Sequence, residues 1–309
     1  RRRAALGGAP EKLVSSLSTP RSSPPDYTDG GLGCYWININ PEYTKILYDR
    51  LMKDARVDVL LHASAVKPIL DNGTVLGAFI ESASGREAVL ADVVIDCTGD
   101  GDFAARAGAA FSIGRAEDGA CQPMSQLFTL GECRPPNFWY GDEDQDPEPN
   151  PLIRNRFRQS IVLARERGEI VLNPNDILCA ATPVHSDCDS VRTVNFTRIQ
   201  RKLPTDATQF TEALMEGREQ VMEAIQFMRR YVPGCERSFL VSTAPMIGIR
   251  ESRRILGDYL LTGNDVLAGR DFDDGIARGI YLLDIHNPTE NGKRSQLIML
   301  KQPYTIPYR

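Results

Sequence analysis

The sequence predicts an α/β protein with an α+β second region, and three observations carry that prediction. First, Val93, Val94 and Ile95 form a short apolar run that reads as a strand buried on both faces. It leads into a tight turn, Thr98-Gly99-Asp100-Gly101, and then a helix from the acid Asp102 to Ala107 that stops at Gly108. Second, a helix start precedes a strand-rich tract punctuated by hairpin signals. Third, the periodicity breaks after Gly114, and a second region with its own strands and a long helix begins.

Taken in order, residues 1–33 are loop by composition, with Ser18-Thr-Pro-Arg-Ser-Ser-Pro-Pro25 and Gly30-Gly-Leu-Gly33. Asn40-Pro41-Glu42 combines an N-cap, a first-turn proline and an acid near the positive helix end. Tyr43, Ile46, Leu47 and Leu51 then share one helix face. Strands are expected at Val57–Leu61, Ala65–Leu70, Thr74–Ser82 and Glu87–Cys97, the last three separated by Asp71-Asn-Gly73 and Ser84-Gly-Arg86. Gln122–Leu130 reads as an edge strand with proline near its start, and residues 140–151 as an acidic, proline-rich surface loop. Ile153, Phe157, Ile161 and Ala164 mark a helix ending at Gly168. Asp206 with Gln209 approximates a capping box for a long helix closing at Pro233-Gly234, whose Phe210, Leu214, Val221, Ile225 and Met228 read as core. Ser238–Pro245 and Ile280–Leu283 are further apolar strands.

The totals exclude several classes. The chain has 309 residues and a net charge of −5, which argues against nucleic acid as a partner. No apolar run approaches the roughly 20 residues that span a bilayer. Seven scattered cysteines, at 34, 97, 121, 133, 179, 188 and 235, show no C-x-x-C spacing. That pattern suits reduced thiols in a cytoplasmic protein and supports no zinc or iron–sulfur site.

Gly99-Asp-Gly101-Asp-Phe-Ala104 satisfies the G-x-G-x-x-[GA] spacing of dinucleotide-binding turns. Asp100 and Asp102, however, would place two carboxylates where a pyrophosphate needs backbone N–H groups. An ionised Asp only accepts hydrogen bonds, so the turn suits a polyol or ribose hydroxyl better. A plain strand-to-helix connection is equally open, and a true phosphate cradle is the weakest of the three readings. Further on, Arg250, Arg253 and Arg254 lie within five residues with Glu251. Either Glu251 pairs locally and leaves an arginine fork for a substrate carboxylate, or the segment is a charged surface helix start. His286, in Asp284-Ile-His-Asn-Pro288, is either a proton shuttle at a strand end or an ordinary turn histidine. His62 and His185 read as structural, and Cys97 as strand packing.

The run Val93-Val-Ile-Asp-Cys-Thr-Gly-Asp-Gly-Asp-Phe-Ala-Ala-Arg-Ala-Gly108 resembles the second flavin-contacting motif of FAD-dependent oxidoreductases with a glutathione-reductase-type FAD domain. Gly248-Ile-Arg-Glu-Ser-Arg-Arg-Ile255 and Leu283-Asp-Ile-His-Asn-Pro288 resemble segments of the "FAD-dependent oxidoreductase" family; fumarate-reductase-like proteins and the flavoprotein subunit of heterodisulfide reductase are more distant relatives. The resemblance departs at both ends, lacking the family's first β-α-β unit and its closing segment, so the chain is expected to be the middle of a larger protein. It implies an incomplete FAD-binding domain with an inserted β-meander over 1–114, a substrate or cap domain over 115–285, and a return segment over 286–309. It further implies FAD contacts at Ala65, Val66 (beside the adenine), Thr98, Gly99, Asp100 and Gly101, and catalytic roles for Arg250, Glu251, Arg253 and His286. A small, anionic or carbonyl-bearing substrate and an unidentified electron acceptor are the expected partners. An iron–sulfur cluster enters only by analogy with distant relatives. The alternative is a non-catalytic interaction module that binds no FAD.

Overall fold

The computed structural model describes residues 18–20, 37–135, 151–172, 180–185, 188–281, 283–288, 296–298 and 300–309. The loop expected over 1–33 lies largely outside the described residues, as do residues 140–150 of the acidic loop.

Asn40 opens α1 (Pro41–Asp54) as its sequence requires: the side-chain carbonyl accepts from the N–H groups of Glu42 and Tyr43. Before it, β1 (Ser18–Pro20) pairs with β2 (Ile37–Ile39); after it comes a meander of β3 (Ser64–Asp71), β4 (Thr74–Ser82) and β5 (Gly85–Leu90), in that spatial order. Asp71 pairs with Thr74, so Asn72-Gly73 is a two-residue hairpin, and both residues have positive φ (48° and 82°), as a right-twisting ribbon demands. Ala65 pairs with Ile80 and Lys67 with Phe79, which leaves Val66 as the extra residue of a bulge.

One expected strand does not form, and the one expected over Glu87–Cys97 stops at Leu90. Residues 57–61 and 91–97 carry no ladder, and Val93 and Ile95 are 77% and 80% exposed. A strand needs a neighbour to take its N–H and C=O groups. Among the described residues Ala91 N still donates to the Leu76 carbonyl of β4, but no strand pairs with 57–61 or 92–97, and every strand pairing is antiparallel. On the apolar face of α1, Tyr43 and Ile46 are likewise exposed. Cys97 is exposed rather than packed.

The core lies further along the chain. β7 (Phe128–Gly131), β8 (Ala180–His185), β9 (Cys188–Asn195) and β10 (Phe239–Thr243) form one antiparallel sheet in the order β10-β7-β9-β8. β7 is therefore interior, not an edge; its ladder begins beyond Pro123, where the missing N–H costs nothing. Across this sheet lie α3 (Pro151–Glu166) and α4 (Ala207–Tyr231). Phe128, Leu130, Val194, Phe196, Ile161, Ala164, Val221, Ile225, Phe227 and Met228 close the core between them. Asp206 caps α4 through the Gln209 N–H, but the Gln209 side chain accepts from Leu203 instead of closing a box.

Two further short pairs set the site. β6 (Phe111–Ile113) pairs with β11 (Arg253–Ile255), and β13 (Leu283–Ile285) with β14 (Gln296–Ile298). The strand expected at 280–283 thus starts at Leu283, directly before His286. None of the described helices is long and apolar enough to cross a membrane.

Candidate functional site

The glycine turn bends because Gly99 and Gly101 take positive φ (83° and 63°). A Cβ on Gly101 would also lie 2.9 Å from Ile255 Cδ1, so any larger residue there would have to push the Ile255 side chain aside as well as adopt the positive φ. Beyond the turn sits α2 (Asp102–Arg106), a five-residue helix whose first N–H groups are already taken. Thr98 Oγ1 accepts from Asp102 N at 2.9 Å, and Asp96 Oδ2 accepts from Ala104 N at 2.8 Å. Asp96 Oδ1 also accepts from Thr98 N. Partial burial pushes the Asp96 carboxyl up, but these backbone hydrogen bonds outweigh it and hold its pKa below the ordinary value. The N–H groups of Asp102 and Ala104 are thus engaged within the chain and are not free for a pyrophosphate, which weighs against the phosphate-cradle reading. Asp96 was not singled out in the sequence; an acid six residues before a helix start carries no capping signature.

The two carboxylates of the turn point at the arginine segment. Ser252 Oγ donates to Asp100 Oδ1 at 2.5 Å, and Arg253 Nη1 donates to Asp102 Oδ1 at 2.6 Å and to the Asp100 carbonyl at 3.2 Å. The Arg253 guanidinium also lies 5.4 Å above the Phe111 ring. Arg254 pairs with Glu251 and donates to the Gly114 carbonyl. Glu251 is the local partner its position suggests, and its other oxygen accepts from Gln122 N at 2.9 Å.

Arg250 differs from its neighbours. Its Nη1 donates to the Pro123 carbonyl at 2.5 Å, and among the described residues no carboxylate comes within ion-pairing distance. Burial pushes its pKa down while Asp284 and Tyr281 work in the opposite direction. An arginine stays protonated throughout the accessible pH range, so this is a half-buried cation with donors to spare.

His286 is 8% exposed and follows β13. Its Nε2 lies 3.2 Å from Asp284 Oδ1, yet that buried oxygen accepts no hydrogen bond, so the pair is close without being aligned. Gln122 Oε1 accepts from His286 N at 2.9 Å. Gln122 therefore joins Glu251 to His286, a role its sequence context conceals. Arg250, Glu251, Arg253, His286 and the Thr98–Gly101 turn are gathered by these contacts. Ala65 and Val66 attach from another side, where Arg106 of α2 donates to the Ala65 carbonyl at 3.2 Å. His62 is exposed with a φ of 55°, and the side chain of His185 lies outside the described residues. Among the described residues, no three His, Cys, Asp or Glu side chains cluster as metal ligands.

A profile of the family described as FAD dependent oxidoreductase matches residues 1–309. No curated protein and no solved structure gives a match.

Proposed function

Because the chain belongs to the FAD dependent oxidoreductase family, we propose that it serves a flavoprotein dehydrogenase or reductase acting on a small anionic or carbonyl-bearing substrate. The observation that carries this reading is the meeting of the glycine turn with the arginine segment, through Ser252 on Asp100 and Arg253 on Asp102. The turn suits the hydroxyl-bearing part of FAD. Asp100 Oδ1 is engaged by Ser252, which leaves Oδ2 as an acceptor, and Gly99 has open space where a Cβ would be. The bulge at Val66 leaves backbone out of the ladder on the side assigned to the adenine. The residues present do not offer a pyrophosphate site at α2, whose end Asp96 and Thr98 occupy.

When bound, FAD supplies a two-electron acceptor or donor for hydride transfer. The protein's own contribution is positioning and charge. Arg250 holds a substrate carboxylate or polarises a carbonyl. His286 gives or takes the proton at Nε2, which lies 3.2 Å from Asp284 Oδ1. Glu251 and Arg253 orient the segment rather than touch substrate, since their charges are already engaged.

Visible spectroscopy of the purified protein tests the class. For the protein expressed from its reading frame extended in both directions, flavin absorption that heating releases as FAD is the expected result. A colourless protein that takes up no added FAD overturns it. The exposed apolar residues Val93 and Ile95 would then favour the second reading, a non-catalytic interaction module.

A further inference from the structure

Far from the glycine turn, the chain brings two cysteines together that its sequence keeps 102 positions apart. Cys133 follows β7 and Cys235 follows the turn that ends α4. Their sulfurs are 3.2 Å apart, and both residues are fully buried, at 0% exposure.

The backbone holds them there from both sides. Arg134 N donates to the Gly234 carbonyl at 2.9 Å, and Cys133 N donates to the Ser190 carbonyl at 2.9 Å. Gly234 has a φ of +79°, and a Cβ there would lie 2.2 Å from the Arg134 carbonyl oxygen. Only glycine permits so close an approach. Next door, Glu132 takes a left-handed φ of 47° and is clasped by Arg237 at 2.7 Å. One strained residue, Glu132, a glycine no other residue could replace and an ion pair thus frame one sulfur–sulfur contact.

We propose that Cys133 and Cys235 are a dithiol–disulfide couple, oxidised by hydrogen peroxide to a bond that ties the end of β7 to the turn after α4. Cys133 is the nucleophile. Its contact with Cys235 lowers its pKa, burial opposes this, and the Arg192 guanidinium adds to the lowering. The Cys133 thiolate attacks one peroxide oxygen, the O–O bond breaks, and the departing hydroxide takes up a proton as water. Cys235 then attacks the resulting sulfenic sulfur; the S–S bond forms, and hydroxide leaves with the Cys235 proton as a second water. Two thiols and one peroxide become one disulfide and two waters; the sulfurs lose two electrons and the peroxide gains them. With both sulfurs buried, the peroxide enters by local opening of the Glu132–Arg134 bend.

The full chain, reduced and then titrated with hydrogen peroxide, is alkylated in denaturant and digested with an endoproteinase that cuts after glutamate. Cleavage at Glu132 separates Cys121 from Cys133. The expected product joins the peptide Cys133–Glu143 to the peptide Ala224–Glu236, two hydrogens below their summed mass, and reductant abolishes it. Cys188, half-buried and with its thiol held low by Ser190, reports that the oxidant acted on the chain. Oxidised Cys188 alongside fully alkylated Cys133 and Cys235 overturns the proposal. The variant C235S must lose the linked product while Cys133 accumulates as the sulfenic acid; because the wild-type product is scored first, misfolding of the variant does not decide the outcome.

Discussion

Ser252 gives its hydroxyl hydrogen to Asp100 across 2.5 Å, although 152 positions separate the two in the chain. The contact fixes the carboxylate of the glycine turn from outside the turn. With Arg253 on Asp102 beside it, the conformation of Thr98–Gly101 depends on β11 as much as on its own glycines. A ligand held by the turn and a substrate held by Arg250 would therefore sit in a single fixed relation.

Removing that brace has a cost in stability. Arg253→Ala leaves Asp102 and the Asp100 carbonyl without their donor in a half-buried setting, and should destabilise by about 2 kcal/mol in urea unfolding. Ser252→Ala should lose about 1 kcal/mol. Wild-type midpoints in both variants would mean the brace is incidental.

Asp100→Asn tests what the turn binds. If its carboxylate accepts from a flavin hydroxyl, FAD affinity should weaken by about tenfold, the loss of one charge-assisted hydrogen bond. Tighter binding in a fluorescence titration would instead restore the phosphate-cradle reading, because removing a negative charge helps a pyrophosphate.

Arg250→Ala and His286→Ala should each slow substrate-driven flavin reduction by about tenfold or more while FAD stays bound. Stopped-flow absorbance separates the two effects, since the spectrum counts bound flavin and the rate reports the chemistry. Unchanged rates would remove both residues from the reaction.

Asp96 makes stability depend on acid. Its folded pKa lies below the ordinary 3.8, so its contribution is fully present above that value and is lost as pH falls through the lower, folded one. Asp96→Asn should flatten the acid limb of the unfolding curve below about pH 4 and cost about 1 kcal/mol at neutral pH, kept small by solvent screening. An acid limb identical to wild type would place the cap elsewhere.

Gly234→Ala should destabilise by about 2 kcal/mol or more, from a positive φ and a Cβ driven into the Arg134 carbonyl. Thermal unfolding measures it. A neutral result would show that the 133–135 bend yields easily.

Elements closed by neighbouring residues were legible from order alone. Asn40 caps α1 within three positions, Asn72-Gly73 supplies the two positive φ values of a hairpin, and Asp206 opens α4, because each depends on groups only a few bonds away. The glycine turn and the arginine segment were legible too, through the residues that resemble a known family. Their union was not. Which carboxylate Arg253 would take, that Gln122 would join Glu251 to His286, and that Cys133 would meet Cys235 all rest on contacts across more than 100 positions, between groups with many chemically equivalent partners. The exposure of Val93 and Ile95 has the same origin: an apolar run states a tendency to be buried, but burial needs a partner surface that only the folded chain can bring. Local chemistry is carried by sequence order, whereas the pairing of distant groups is settled when the core beneath them packs.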